Sequence, residues 1–164
     1  YNLTGDLFLN MLSQGYARLA DNRQRVNDLN VFPIPDGDTG DNMCLTIESG
    51  YSQASQIGGA SLGEIAGAAS SGMLMGARGN SGVILSRIFA GMAKGLSGLG
   101  STDTEGFSNA MQAAVEEAYH SVAHPVEGTI LTVVREGTDG AGAQSSKSME
   151  EYISALIHEM EISL

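Results

Sequence analysis

Residues 30–43 read Asn-Val-Phe-Pro-Ile-Pro-Asp-Gly-Asp-Thr-Gly-Asp-Asn-Met. Pro33 and Pro35 fix their own φ angles and push the residues before them out of the helical region, so the run approaches along an extended path. It then places Asp36, Asp38 and Asp41 within six residues, with Gly37 and Gly40 between them. Carboxylates this close repel one another unless a cation stands between them. Glycine lets the backbone bend until their oxygens converge. An all-oxygen donor set without His or Cys suits Mg²⁺ or Ca²⁺. An EF-hand is excluded, because its sixth and twelfth positions, counted from Asp36, are Asp41 and Ile47 rather than Gly and Glu. The alternative is an acidic helix start, with Asp38 or Thr39 as cap and Asp41 favoured by the helix dipole. The rigid proline approach favours the metal reading, since a stiff loop loses less entropy when held in a ligating shape.

Outward from this loop the pattern is helical. Leu3, Leu7, Met11, Leu12, Tyr16 and Leu19 recur at helical spacing and predict one long helix over 3–29. A second helix is expected from Thr39, with Met43, Ile47 and Tyr51 as its buried stripe. A third begins at the capping box Ser61-Leu62-Gly63-Glu64 and ends near Gly76. A fourth runs from Asn80 or Ser81 to the glycines at 95–100, and a fifth over 104–122. Pro125 is expected to open a sixth helix at its first position. The Gly/Ser-rich stretch 138–147 reads as a loop, and Ser148 with Glu151 caps a last helix. The β-branched run Thr129–Val134 would suit a strand locally. With no partner strand in view its backbone groups would stay unpaired, so it is assigned to helix.

Composition narrows the function classes. The chain has 164 residues, with 8 Lys and Arg against 19 Asp and Glu, a net charge of −11. No basic patch can supply the counterion-release term of nucleic-acid binding, and an anionic membrane surface is disfavoured likewise. No apolar run reaches the ~20 residues of a membrane span. The single Cys44 rules out a disulfide framework and a Cys-based zinc site and fits a reducing, cytoplasmic home. Glycine contributes 22 residues, about twice the usual ~7%, and many sit among apolar residues, which points to close helix packing and ligand-facing loops. The eight Met read as core filler. His120 and His124 share a helical spacing but lack a third ligand.

Two further runs stand at helix starts. Gly76-Ala77-Arg78-Gly79-Asn80-Ser81-Gly82 offers free amides, a hydroxyl and a side-chain amide to an anion. It has neither Walker A nor Rossmann spacing. Taken alone, it is best read as a helix–helix turn with a Ser cap, and His124–Thr129 as a capping segment. Together with the aspartate loop they form a kit in which amides bind phosphate oxygens and divalent cations bridge carboxylates to phosphates.

The runs 30–43, 74–85 (Leu-Met-Gly-Ala-Arg-Gly-Asn-Ser-Gly-Val-Ile-Leu) and 125–133 (Pro-Val-Glu-Gly-Thr-Ile-Leu-Thr-Val) resemble, in the same order, the DhaL (Dak2) superfamily. The resemblance is nearest to the N-terminal ATP-binding domain of bacterial fatty acid kinase. It implies an all-α, antiparallel barrel-like bundle of about eight amphipathic helices, binding ATP and two Mg²⁺ at one end. It also implies Asp36, Asp38 and Asp41 as metal ligands, with Thr39, Gly40, Asn42, Gly79, Asn80, Ser81, Gly128 and Thr129 contacting the nucleotide. The implied reaction phosphorylates the carboxylate of a fatty acid, presented by a separate fatty-acid-binding carrier protein, to give acyl phosphate. A carboxylate is already ionised at pH 7, so this chemistry requires no general base.

Related domains run past 200 residues and end in an Asp-x-Gly-Gly stretch near the nucleotide. The resemblance therefore implies that residues 1–164 are a C-terminally truncated piece of a DhaL-like domain, weak or inactive alone. The intact protein would dimerise through regions absent here. Two alternatives remain. One is the nucleotide subunit of dihydroxyacetone kinase, whose usual loop has His where this chain has Thr39. The other is a non-catalytic helical module that binds Mg²⁺ or a partner.

Overall fold

The computed structural model describes residues 1–31, 34–144 and 148–164. Among them the chain forms eight helices: α1 (Gly5–Asp21), α2 (Arg23–Asp28), α3 (Thr39–Ser55), α4 (Leu62–Gly76), α5 (Gly79–Leu96), α6 (Thr104–His120), α7 (Ile130–Gly142) and α8 (Met149–Ser163). Two short strands, β1 (Leu3–Thr4) and β2 (Ser101–Thr102), pair antiparallel, Leu3 with Thr102 and Thr4 with Ser101. The fold is all-α, as expected, with eight helices in a DhaL-like arrangement. The two-residue ladder is an addition that periodicity over so short a span cannot signal.

Helices adjacent in sequence pack side by side from α3 to α8, and α1 lies against α3 and α4. Short connections make such neighbours antiparallel. Close glycine contacts show this directly. A Cβ at Gly91 would fall 2.6 Å from Ala114 Cα, and one at Gly95 would fall 2.7 Å from Ala110 Cα. Arg87 pairs with Glu117 at 3.7 Å further along the same α5–α6 seam. Only glycine permits such backbone approach. The core is aliphatic and Met-rich: Leu3, Leu62, Ile65, Met73, Leu96 and Met149 are essentially inaccessible. Each contributes roughly 1.5–3 kcal/mol of burial.

Both predicted capping boxes are present, with Ser61 accepting from Glu64 N–H and Ser148 from Glu151 N–H. Thr129–Val134 belongs to helix, with Thr129 as the N-cap and its hydroxyl accepting from Leu131 N–H. Four expectations are corrected. The single helix over 3–29 breaks at Asn22, which leaves the helical region (φ −103°, ψ 5°) and whose side chain donates to Arg18 O at 2.9 Å. Pro125 opens no helix; residues 122–129 form an irregular connection, Gly128 takes φ +78°, and α7 starts at Ile130. The predicted loop at 138–147 is helical through Gly142. Gly140 serves packing there: a Cβ would meet Glu159 Cγ at 2.7 Å, so it lets α7 lie against α8. Residues 145–147 of that prediction, and Phe32 and Pro33 of the extended approach, lie outside the described residues. Finally, α5 begins at Gly79 with Arg78 as N-cap, so Ser81 occupies the first turn and is not a cap.

Antiparallel alternation sorts the connections. The α2–α3, α4–α5 and α6–α7 connections fall at one end of the bundle. The β1–β2 ladder and the contacts from Leu62 and Gly63 N–H to Gly100 O and Leu99 O hold the opposite end.

Candidate functional site

All three sequence runs therefore face the same end. Two of them touch. Asn42 in the first turn of α3 packs on Gly79, where a Cβ would stand 2.5 Å from Asn42 Nδ2. One turn on, the buried Thr46 hydroxyl donates to Asn42 O (2.7 Å) and accepts the Arg78 N–H (3.2 Å). The same oxygen lies against Gly82. The pairs 42/79 and 46/82 advance together, so α3 and α5 run parallel and present their N-termini side by side. The positive ends of two helix dipoles thus point the same way.

The two N-termini are finished differently. Asp38 stands at the N-cap of α3, but its side chain makes no capping bond. Two asparagines from outside the helix act instead. Asn27 Oδ1, on the buried Asn27, accepts from Asp41 N–H at 3.1 Å. Asn30 Oδ1 accepts from Asp38 N–H at 3.3 Å and from the Thr39 hydroxyl at 2.8 Å. Asn27 Oδ1 and the Arg23 backbone also crowd Gly40, where a Cβ would come within 2.9 Å of that oxygen. The start of α5 has no side-chain cap. Its first intrahelical bond runs from Gly82 N–H to Arg78 O (3.1 Å), which leaves the Gly79, Asn80 and Ser81 amides of the first turn available to an acceptor. Gly79 and Asn80 are exposed and Ser81 is half-buried.

Asp36 is exposed, while Asp38 and Asp41 are half-buried. Gly37, at φ +68°, turns the chain between the first two. Asp41 pairs with Arg23 Nε at 3.3 Å. Among the described residues no three Asp, Glu, His or Cys side chains gather into one cluster. The donors fit Mg²⁺ in kind, since that ion takes one or two carboxylates and completes its shell with water and substrate phosphates. Cys44 is buried in α3, and burial pushes its thiol pKa up, so it is no reactive thiolate.

The third run is organised by a network of its own. Glu127 accepts from the Thr132 hydroxyl (2.6 Å), from Arg135 (2.9 Å) and from the Tyr119 hydroxyl (3.1 Å). Arg135 Nε in turn donates to Tyr119 at 3.0 Å, and Gly128 N–H donates to Thr132 at 2.8 Å. The Thr132 and Arg135 hydrogen bonds hold the Glu127 carboxyl below the usual glutamate range. Gly128 and Thr129 thus reach the same end as the other runs, fixed through α6 and α7 and not through α3 or α5.

Sequence reasoning missed Asn27, Asn30 and Thr46. Asn30 heads the quoted run, and Asn42 and Thr46 share an i,i+4 face; both signals were in the chain. Nothing local distinguishes Asn27.

The DAK2 domain family matches residues 33–164. The chain belongs to the DAK2 domain family. This domain is the ATP-binding module of dihydroxyacetone-kinase-like proteins. An uncharacterized protein of Staphylococcus epidermidis is 43% identical over 159 residues, covering 97% of this chain and 29% of that protein. One from Staphylococcus saprophyticus is 42% identical over 164 residues, covering 99% and 30%. One from Staphylococcus aureus is 45% identical over 139 residues, covering 85% and 25%. This DAK2 chain spans less than a third of the length of these relatives. None of its described helices is long and apolar enough to cross a membrane.

Proposed function

We propose that this DAK2 domain is the ATP- and Mg²⁺-binding domain of a kinase that phosphorylates the carboxylate of a fatty acid presented by a separate lipid-binding protein. One observation carries the nucleotide part. The parallel N-termini of α3 and α5 are locked side by side, the one bearing Asp38 and Asp41, the other bearing uncapped amides. In this reading the Gly79–Ser81 amides and the Thr39, Gly40 and Asn42 groups bind phosphate oxygens, and Gly128 and Thr129 contact the nucleotide from the α7 side. Asp36, Asp38 and Asp41 would hold two Mg²⁺, one or two carboxylates to each ion, and the ions would supply charge neutralisation that a chain with only 8 basic residues cannot. Catalysis then rests on positioning and electrostatics, because an ionised carboxylate acceptor attacks without losing a proton. The acceptor assignment is supported by the three-run resemblance and by Thr39 in place of the dihydroxyacetone kinase His. Val31, Ile34 and Met75, all exposed beside the candidate site, offer apolar surface to a lipid-bearing partner. The whole protein is taken to carry further domains that bind this partner and dimerise.

The test is calorimetric titration of ATP with Mg²⁺ and with EDTA, on the chain and on Asp38→Ala. Mg²⁺-dependent binding lost in Asp38→Ala supports the site; the same heat in both proteins overturns it. Phosphoryl transfer to a fatty acid on its carrier, compared with dihydroxyacetone, decides the acceptor.

A further inference from the structure

Thr46 is fully buried and lies outside every run expected to touch ligand. Its hydroxyl has one proton to give and gives it to Asn42 O. Its lone pair takes the N–H of Arg78, the cap residue of α5. It therefore joins the backbones of the two helices whose first turns form the candidate phosphate site. Gly82 allows the contact, since any Cβ there would collide with Thr46 Oγ1. A Ser or Thr is required at position 46 for both bonds; a Val of the same shape could make neither.

We propose that Thr46 is a positioning residue for nucleotide binding, holding the first turn of α5 in register with the first turn of α3 so that both address one phosphate chain. This rests on the nucleotide reading above. The geometry behind it is specific. Removing the hydroxyl frees the Arg78 N–H from α3 while leaving every expected ligand-contacting residue in place. The phosphate-facing amides of Gly79, Asn80 and Ser81 then lose their fixed distance from Asp38 and Asp41. Preorganisation of this kind acts on affinity through the cost of ordering the site.

The test compares Thr46→Val with Thr46→Ser by calorimetry with Mg-ATP and by amide NMR of the ¹⁵N-labelled chain. In the unaltered chain, Mg-ATP is expected to shift the amide signals of Gly79–Ser81 and of 39–42 at one common dissociation constant. Thr46→Val is expected to weaken Mg-ATP binding about tenfold, the upper scale of one lost neutral hydrogen bond, and Thr46→Ser to restore it. Gly82→Ala, which presses on the same oxygen without removing it, is expected to weaken binding likewise and stands in if Thr46→Val does not fold. Equal loss in Thr46→Val and Thr46→Ser would show that any change of packing at this position weakens binding, whether or not the hydroxyl is kept, and would overturn the proposal. Unchanged affinity in both Thr46→Val and Gly82→Ala would overturn it as well. If Asp38→Ala binds Mg-ATP as the unaltered chain does, or Mg-ATP moves none of these amides, the nucleotide reading fails and the role of Thr46 falls with it.

Discussion

Asn42 Nδ2 fills the space that a side chain at position 79 would need: a Cβ there would stand 2.5 Å away, on a residue whose φ is +62°. The torsion calls for glycine at 79, and any Cβ there would also force the Asn42 side chain to move. Gly79→Ala is expected to destabilise the chain by about 1–3 kcal/mol and to displace the start of α5 from Asn42. Thermal unfolding checks the first effect. Loss of Mg-ATP heat in calorimetry checks the second.

Asn27 gives a different signature. It is buried, and its Oδ1 accepts from the Asp41 amide at the start of α3. Asn27→Ala leaves that amide without its acceptor and should cost about 1–3 kcal/mol, measured by urea unfolding. A loss under about 0.5 kcal/mol would mean that water replaces the asparagine without penalty.

The Glu127 network predicts a local pH response. Its carboxyl is held below the ordinary glutamate range by Thr132 and Arg135, so the charged form is favoured in the folded chain. The sign follows from linkage: the contribution is present above the ordinary glutamate pKa of ~4.3 and is lost as pH falls through the lowered folded value. The Gly128 amide, bonded to Thr132, should report this as a shift in its NMR signal on acidification below the ordinary glutamate range. In Glu127→Gln that step should vanish. Persistence of the step there would assign it to another carboxylate.

Gly137 tests the C-terminal half. A Cβ at this position would strike the Met160 side chain, with Leu156 O 3.4 Å away. Gly137→Ala should push α8 off α7 and cost about 1–3 kcal/mol, the usual scale of overpacking, read as a lowered unfolding midpoint. An unchanged midpoint would show that Met160 swings aside freely.

Most of the fold was legible because it is written in local signals. Capping boxes at Ser61 and Ser148 and apolar spacing in α3 to α6 each mark an element without reference to the rest of the chain. The failures share a cause. Gly140 looks like a loop residue by propensity, yet it sits in a helix because close α7–α8 packing repays its cost. Pro125 looks like a helix start, yet the positive φ of Gly128 and the bonds to Glu127 place the start five residues later. At the candidate site the residue types were legible from the aspartate and glycine spacing. The struts were not: Asn27 acts across 14 residues and Thr46 across 32, distances over which a linear pattern carries no information.

The β1–β2 ladder ties residues 3–4 to residues 101–102 and so closes the chain from α1 to α5 into a loop that α6 to α8 follow in sequence. Contacts of such long sequence separation carry a large closure entropy, whereas α6, α7 and α8 each pack on the helix just before them. The molecule is thus a clasped unit followed by an appended row. The runs at 36–42 and 76–82 belong to the clasped unit, and the run at 124–129 belongs to the row. Native-state hydrogen exchange should find α8 opening at lower free energy than α4, with the row peeling away while the parallel pair of helix starts stays intact.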